Sequence, residues 1–428
     1  MKDYEGREAV YLLDIEADPD LDQTTERLLA YLVVFKDTSD ADGSNQKSMK
    51  SCQYKYVVEC WNSVSIVFKV EERMSMKKGQ ASGSAAEFSK AGKKAYFHLP
   101  GLFEFLEFYR VFLPVFFEHR EYFYDWCEIG SLYGAPGDCI WGGGRVGCGD
   151  AGPQEVKELT DQYGISAHLT FSNSLLRQEH LSDSMGNQLC RMFESVPGNK
   201  PRCCDSKVKN GCVDRENNSS IGREKNSDTW REDGVPAVRN GIIITSDLLM
   251  DYIHRRYPGF CFISSTTKVI TDFSAFRREL DRPEFSYVVP DFRLNKHFDD
   301  LRELNRPEKD KTEFLVNECC DFACLERRQC YEAVSRKALG EDCGDHICAS
   351  KDSAEGYVFS RAMKNPGFIS LQDIQEVYLP MGFSQFKIEG RSLGSAMILE
   401  FLLYYMTKPE YQLNVREAIY LDSSLDLF

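Results

Sequence analysis

Six of the chain's sixteen cysteines fall within thirty residues: Cys319, Cys320, Cys324, Cys330, Cys343 and Cys348, directly after the apolar run Phe314-Leu315-Val316. Thiols gathered this closely in a reducing compartment suit a metal or an iron–sulfur centre better than disulfides. The spacing C-C-x3-C-x5-C-x12-C-x4-C matches neither a zinc ribbon nor the C-x2-C-x2-C ferredoxin run. An all-cysteine donor set favours iron–sulfur, while His346, between Cys343 and Cys348, keeps zinc open. The alternative is that up to two of the six, among Cys319, Cys320 and Cys330, are small buried apolar residues.

Charged groups form the second set of candidates. Arg293 in Asp291-Phe292-Arg293-Leu294-Asn295 and Arg391 in Lys387-Ile388-Glu389-Gly390-Arg391 each follow an apolar run, and a fixed guanidinium there can fork onto a carboxylate or phosphate. The competing reading is a rim ion pair, Arg391 with Glu389 or Glu318. Arg145 follows three glycines that let backbone approach a ligand closely. Glu318 and Glu389 are candidate proton-transfer groups, with Asn317 beside the first. No histidine sits by a nucleophile signature such as G-x-S-x-G, and His98 and His168 fall inside apolar runs, which suits inner-barrel or core roles.

These groups need elements to hold them. From residue 96 onward short apolar runs recur, each followed by a helix-like segment: Tyr96–Leu99, Glu128–Leu132, Ala167–Phe171, Ile242–Thr245, Phe260–Ile263, Tyr287–Pro290, Glu313–Val316 and Phe386–Glu389. Eight strands alternating with helices over this length predict a (β/α)8 TIM-barrel-like domain, whose reactive groups must come from the C-terminal strand ends. An open doubly wound sheet would need a G-x-G-x-x-G turn, which Trp141-Gly142-Gly143-Gly144-Arg145 does not supply. Among the helices, Leu102–Phe117 presents Phe103, Leu106, Tyr109, Leu113 and Phe117 as one stripe, Leu248–Tyr257 is capped by Ser246-Asp247, and Ser395–Met406 is apolar throughout.

Residues 1–73 read as a separate small α+β segment, with Thr25–Phe35 as a short helix or strand and a hairpin of Tyr54–Cys60 with Val64–Val70. Polar stretches at 37–50 and 74–95 read as linkers, and 96–428 as the barrel domain with a mobile insertion at about 195–236. The charge of −15 disfavours general nucleic-acid binding, leaving small-molecule or peptide substrates. With no apolar signal core at the N-terminus and no long apolar span, the expectation is a cytoplasmic protein with no membrane partner.

Taken together, Phe97-His98-Leu99-Pro100-Gly101, Tyr122-Phe123-Tyr124-Asp125, Glu128–Gly134, Trp141–Arg145, Leu315–Cys320 and Phe386–Arg391 resemble the collagenase-like peptidase family (peptidase family U thirty-two) over roughly residues 96–428. The resemblance implies a TIM-barrel-like fold and a cysteine-ligated [4Fe-4S] cluster. It also implies either oxygen-independent hydroxylation of small or RNA-derived substrates or peptide hydrolysis. Carried over by position, Cys320, Cys324, Cys343 and Cys348 would ligate the cluster, and Glu389 and Arg391 would line the substrate pocket. A binding module with a structural metal is the non-enzymatic alternative.

Overall fold

Eleven strands in two sheets occur among the residues described by the computed structural model, which are 28–35, 51–58, 69–70, 93–144, 151–194, 239–344, 346–348, 350 and 356–425. The chain divides into two units, Met1–Phe88 and Ser89–Phe428. In the first, β1 (Leu28–Phe35), β2 (Ser51–Val58) and β3 (Lys69–Val70) form an antiparallel sheet in that order. The Thr25–Phe35 segment thus supplies a strand, and the hairpin pairs Tyr56 with Val70 and Val57 with Lys69. Apart from Lys93, Lys94 and Ala95, the last of which begins a strand, the linkers and the 195–236 insertion lie outside the described residues, as does Arg145.

In the second unit every predicted run overlaps a strand, with Tyr287–Pro290 and Phe386–Glu389 each running two residues past its end: β4 (Ala95–Pro100), β5 (Cys127–Gly134), β6 (Ser166–Phe171), β7 (Gly241–Ile244), β8 (Cys261–Ser264), β9 (Phe285–Val288), β10 (Glu313–Leu315) and β11 (Gln385–Lys387). All pair in parallel in the order β10-β11-β4-β5-β6-β7-β8-β9, and a parallel bridge between Val288 and Thr312 joins the two outer strands. The result is a (β/α)8 barrel, with a crossover returning the chain between successive parallel strands.

Side-chain alternation along each strand separates two environments. Phe97, Phe314 and Phe386 join the large apolar shell between strands and helices, whereas Tyr133, Ile243, Cys261, Ile263, Val289 and Leu315 form a small cluster of their own inside the barrel. The helix Asp247–Arg256 starts at Ser246, whose hydroxyl accepts the Leu249 N–H, and Ser395–Tyr405 buries six side chains against the shell. The first crossover helix is Leu106–Glu118, and its buried face is Leu106, Tyr109, Phe112, Leu113, Val115 and Phe116. Phe117, expected on that stripe, is 43 % exposed, because successive residues are turned about 100° apart and Phe116 takes the inward position.

Candidate active site at the barrel mouth

The C-terminal strand ends surround a cavity of about 270 Å³. Tyr133, Ile243, Val289 and Leu315 of the inner cluster line it together with Lys387, the last residue of β11. Thr170 and Ser172 come from the end of β6, Ser265, Thr266 and Thr267 follow β8, and Glu389 and Arg391 follow β11. The loop after β5 closes against β6 so tightly that a Cβ on Gly143 would lie 2.6 Å from the Ser172 carbonyl carbon, so only glycine passes there. The hydroxyls of Thr170, Ser172 and Thr266 are buried and have no hydrogen-bond partner among the described residues. Buried polar atoms are nearly always satisfied, so three orphaned hydroxyls around one cavity mark positions where a ligand's oxygens can complete the bonding.

Inside the barrel lies a charged network. Lys387 Nζ is 2.8 Å from Glu313 Oε1 and 3.9 Å from the centroid of the Tyr133 ring, and both Lys387 and Glu313 are buried. His98 Nε2 donates to Gln385 Oε1 at 3.1 Å, which assigns its Nδ1 as acceptor of the Ser131 hydroxyl at 2.8 Å, and Nε2 lies 3.6 Å from Glu313 Oε2. His168 stacks on His98 with ring centroids 5.7 Å apart. Burial pushes His98 below the usual histidine range, and burial with the neighbouring His98 takes His168 down to about 3, so both rings are neutral at pH 7. Burial alone would raise Glu313, but His98 and Lys387 outweigh it and hold the carboxyl at about 2. Burial lowers Lys387 from the ordinary lysine range, against the opposing pull of Glu313.

The residues expected to bind substrate divide in two. Glu389 lines the cavity and its negative charge adds to the burial that raises the Tyr133 and Tyr357 phenols. Arg391 also lines it, but the guanidinium is committed: Nε donates to Glu104 Oε1 at 2.7 Å, and Nη1 and Nη2 donate to the carbonyls of Gly143 and Ala135. Its partner is therefore Glu104, from the loop after β4, rather than Glu389 or Glu318, and its role is to tie three loops of the mouth together. Asn317 is fully buried and off the cavity wall; it receives the Glu389 N–H and donates to the Glu389 carbonyl, fastening the end of β10 to β11. Arg293 does not reach the cavity, because Asp291 holds it through two bonds of 2.6 and 2.9 Å and it donates to the Cys324 carbonyl. Glu318 is likewise a structural anion: its carboxylate accepts the amides of Cys319 and Cys320 and pairs with buried Arg327.

The cysteines are not gathered. Among the described residues, the one set of three or more potential ligands within 4.8 Å of one another is Glu318, Cys319 and Glu389, and Glu318 is already engaged by Arg327. No three of Cys320, Cys324, Cys343 and Cys348 converge to that degree. After the helix Arg327–Ala338 the chain doubles back along it, with Cys343 Sγ 3.9 Å from the Ala333 carbonyl and His346 Nε2 3.4 Å from Glu326 at the helix start, yet the four thiols are not drawn to one point. Nor are any of the six buried: Cys319 and Cys348 are exposed and the other four half-buried, whereas the buried thiols among the described residues are Cys127, Cys139, Cys190 and Cys261. As the donors stand, they do not fit a four-thiolate cluster.

Sequence reading overlooked Lys387, though the signal was present: a lysine between Phe386 and Ile388 at the inward-facing parity of the last strand. No helix among the described residues is long and apolar enough to cross a membrane. No family model and no curated protein matches the chain. Among solved structures, a U32 peptidase, Mk0906, is similar at 11 % identity over 72 % of this chain and 99 % of that one, with a TM-score of 0.38. So remote a likeness adds nothing to the argument, and the barrel rests on its own strand order.

Proposed function

We propose that the protein is an enzyme acting on a small, oxygen-bearing molecule held at the mouth of the barrel, with Glu389 as the proton-transfer group. The observation that carries this reading is the cavity lined by three orphaned buried hydroxyls, Thr170, Ser172 and Thr266, beside Glu389 and Lys387. Its volume of about 270 Å³ suits a metabolite of a few carbons better than an extended peptide. The iron–sulfur hydroxylation implied by the family resemblance would depend on the cysteine segment instead, and peptide cleavage on Cys319, a thiol with no histidine beside it in the cavity wall.

The test is a calorimetric screen of the full chain against small hydroxy acids, keto acids and sugar phosphates, with iron, sulfide and casein-cleavage assays in parallel. A ligand from that panel should bind, and Thr170→Val and Ser172→Ala should each weaken it about 3- to 10-fold, the worth of one hydrogen bond. Glu389→Gln should leave affinity within a few-fold and cut turnover about 100-fold or more. Binding indifferent to the hydroxyl variants, or casein cleavage without small-molecule binding, would overturn the reading.

A further inference from the structure

We propose that Lys387 is a covalent nucleophile, its Nζ condensing with the carbonyl of a small aldehyde or ketone to form an iminium; the inference rests on the small-molecule reading above and specifies its substrate class. Lys387 ends β11, at the end of the strand from which barrel chemistry is drawn, and it lines the cavity while only 5 % exposed. The side chains around it in the wall, Tyr133, Ile243, Val289 and Leu315, are largely apolar, the kind of setting that activates a lysine amine by making its charged form costlier. Burial does lower Lys387 from the ordinary lysine range.

The charge arrangement suits the product as well as the free amine. The ammonium yields a proton to Glu389, the carboxylate two residues on in the same cavity wall, and the freed amine adds to the carbonyl carbon as the C=O pair moves onto oxygen. A proton passes from nitrogen to that oxygen, Glu389 returns the one it took, and the C–O bond breaks with loss of water. The iminium carries the same single positive charge as the original ammonium. Glu313, 2.8 Å from Nζ, and the Tyr133 ring, 3.9 Å away, therefore face a cation before and after the reaction. An ion pair that served stability alone would not need to open onto a cavity edged with orphaned hydroxyls.

The experiment is borohydride trapping on the full chain, with pyruvate, glyceraldehyde and dihydroxyacetone as probes. Intact mass should show one adduct per chain, equal to the carbonyl compound less one oxygen, because hydride reduces the iminium to a secondary amine. Peptide mapping of the unmutated protein should place it on Lys387, so the result does not depend on a variant that folds. Lys387→Arg, which keeps a cation for Glu313, should abolish the adduct. Adducts scattered over surface lysines, or calorimetric binding of a probe with no adduct, would overturn the nucleophile while leaving the small-molecule reading standing. Absence of both binding and adduct for these probes and the whole calorimetric panel would overturn both.

Discussion

The cavity and the cysteine segment are opposite cases of how closeness in sequence relates to closeness in space. The cavity wall draws on positions from Tyr133 to Leu393, brought side by side because eight parallel strands end on one rim. The six cysteines share thirty residues and the chain doubles back along the helix Arg327–Ala338, yet the thiols of Cys320, Cys324, Cys343 and Cys348 do not meet. Parallel strands convert long separations into neighbouring ends, whereas nearness along the chain gives side chains no common direction. A run of one residue type is thus weaker evidence for a site than single polar residues recurring at strand ends.

The comparison is most open to challenge at Arg391, which ties its own loop to those after β4 and β5 through Glu104, Ala135 and Gly143. Arg391→Ala strands a carboxylate that is 1 % exposed, and removing one partner of a buried pair costs about 3–5 kcal/mol. Urea unfolding should show that loss. A variant of unchanged stability that has lost only ligand binding would return Arg391 to the role of a substrate clamp.

A smaller effect is expected on acidification. His168 takes up a proton at 6.5 when unfolded but only at about 3 in the barrel, so between those values the unfolded chain binds more protons. Glu313 adds a second window, between 4.5 unfolded and about 2 folded. Both contributions are complete at neutral pH and are lost as pH falls. Each has a slope of at most about 1.4 kcal/mol per pH unit. The groups facing His168 across the interior are His98, Glu313 and Lys387, and the Tyr287 ring lies 5.6 Å from that of His98. Urea midpoints from pH 7 to pH 4 should decline, and His168→Asn should flatten the upper part of the curve; an unchanged slope would mean that the ring is protonated in the fold.

The smallest effects belong to the cysteine segment. Cys324→Ser, Cys343→Ser and Cys348→Ser should each lie within about 0.5 kcal/mol of the parent and leave cavity binding unaltered, while Cys319→Ser, in the cavity wall, should alter it. Iron analysis of anaerobically purified protein completes the test. Joint loss of iron and of ligand binding in all three would make the two regions one site.

What the sequence determined by itself was the set of local elements. The eight strands were legible because each is a short apolar run whose alternation depends on its own residues, and Ser246 marked a helix start because a cap acts within one turn. The gathering of Tyr133, Ser172, Thr266 and Glu389 at strand ends followed once the strands were known to be parallel. Tertiary structure alone decided the rest. Glu104 claims Arg391 across 287 positions, Arg327 claims Glu318, and the parallel pairing of β10 with β11 places Lys387 against Glu313. A guanidinium or a carboxylate carries no local mark of its partner, because an ion pair is set by which loops the closed barrel brings within about 4 Å of each other.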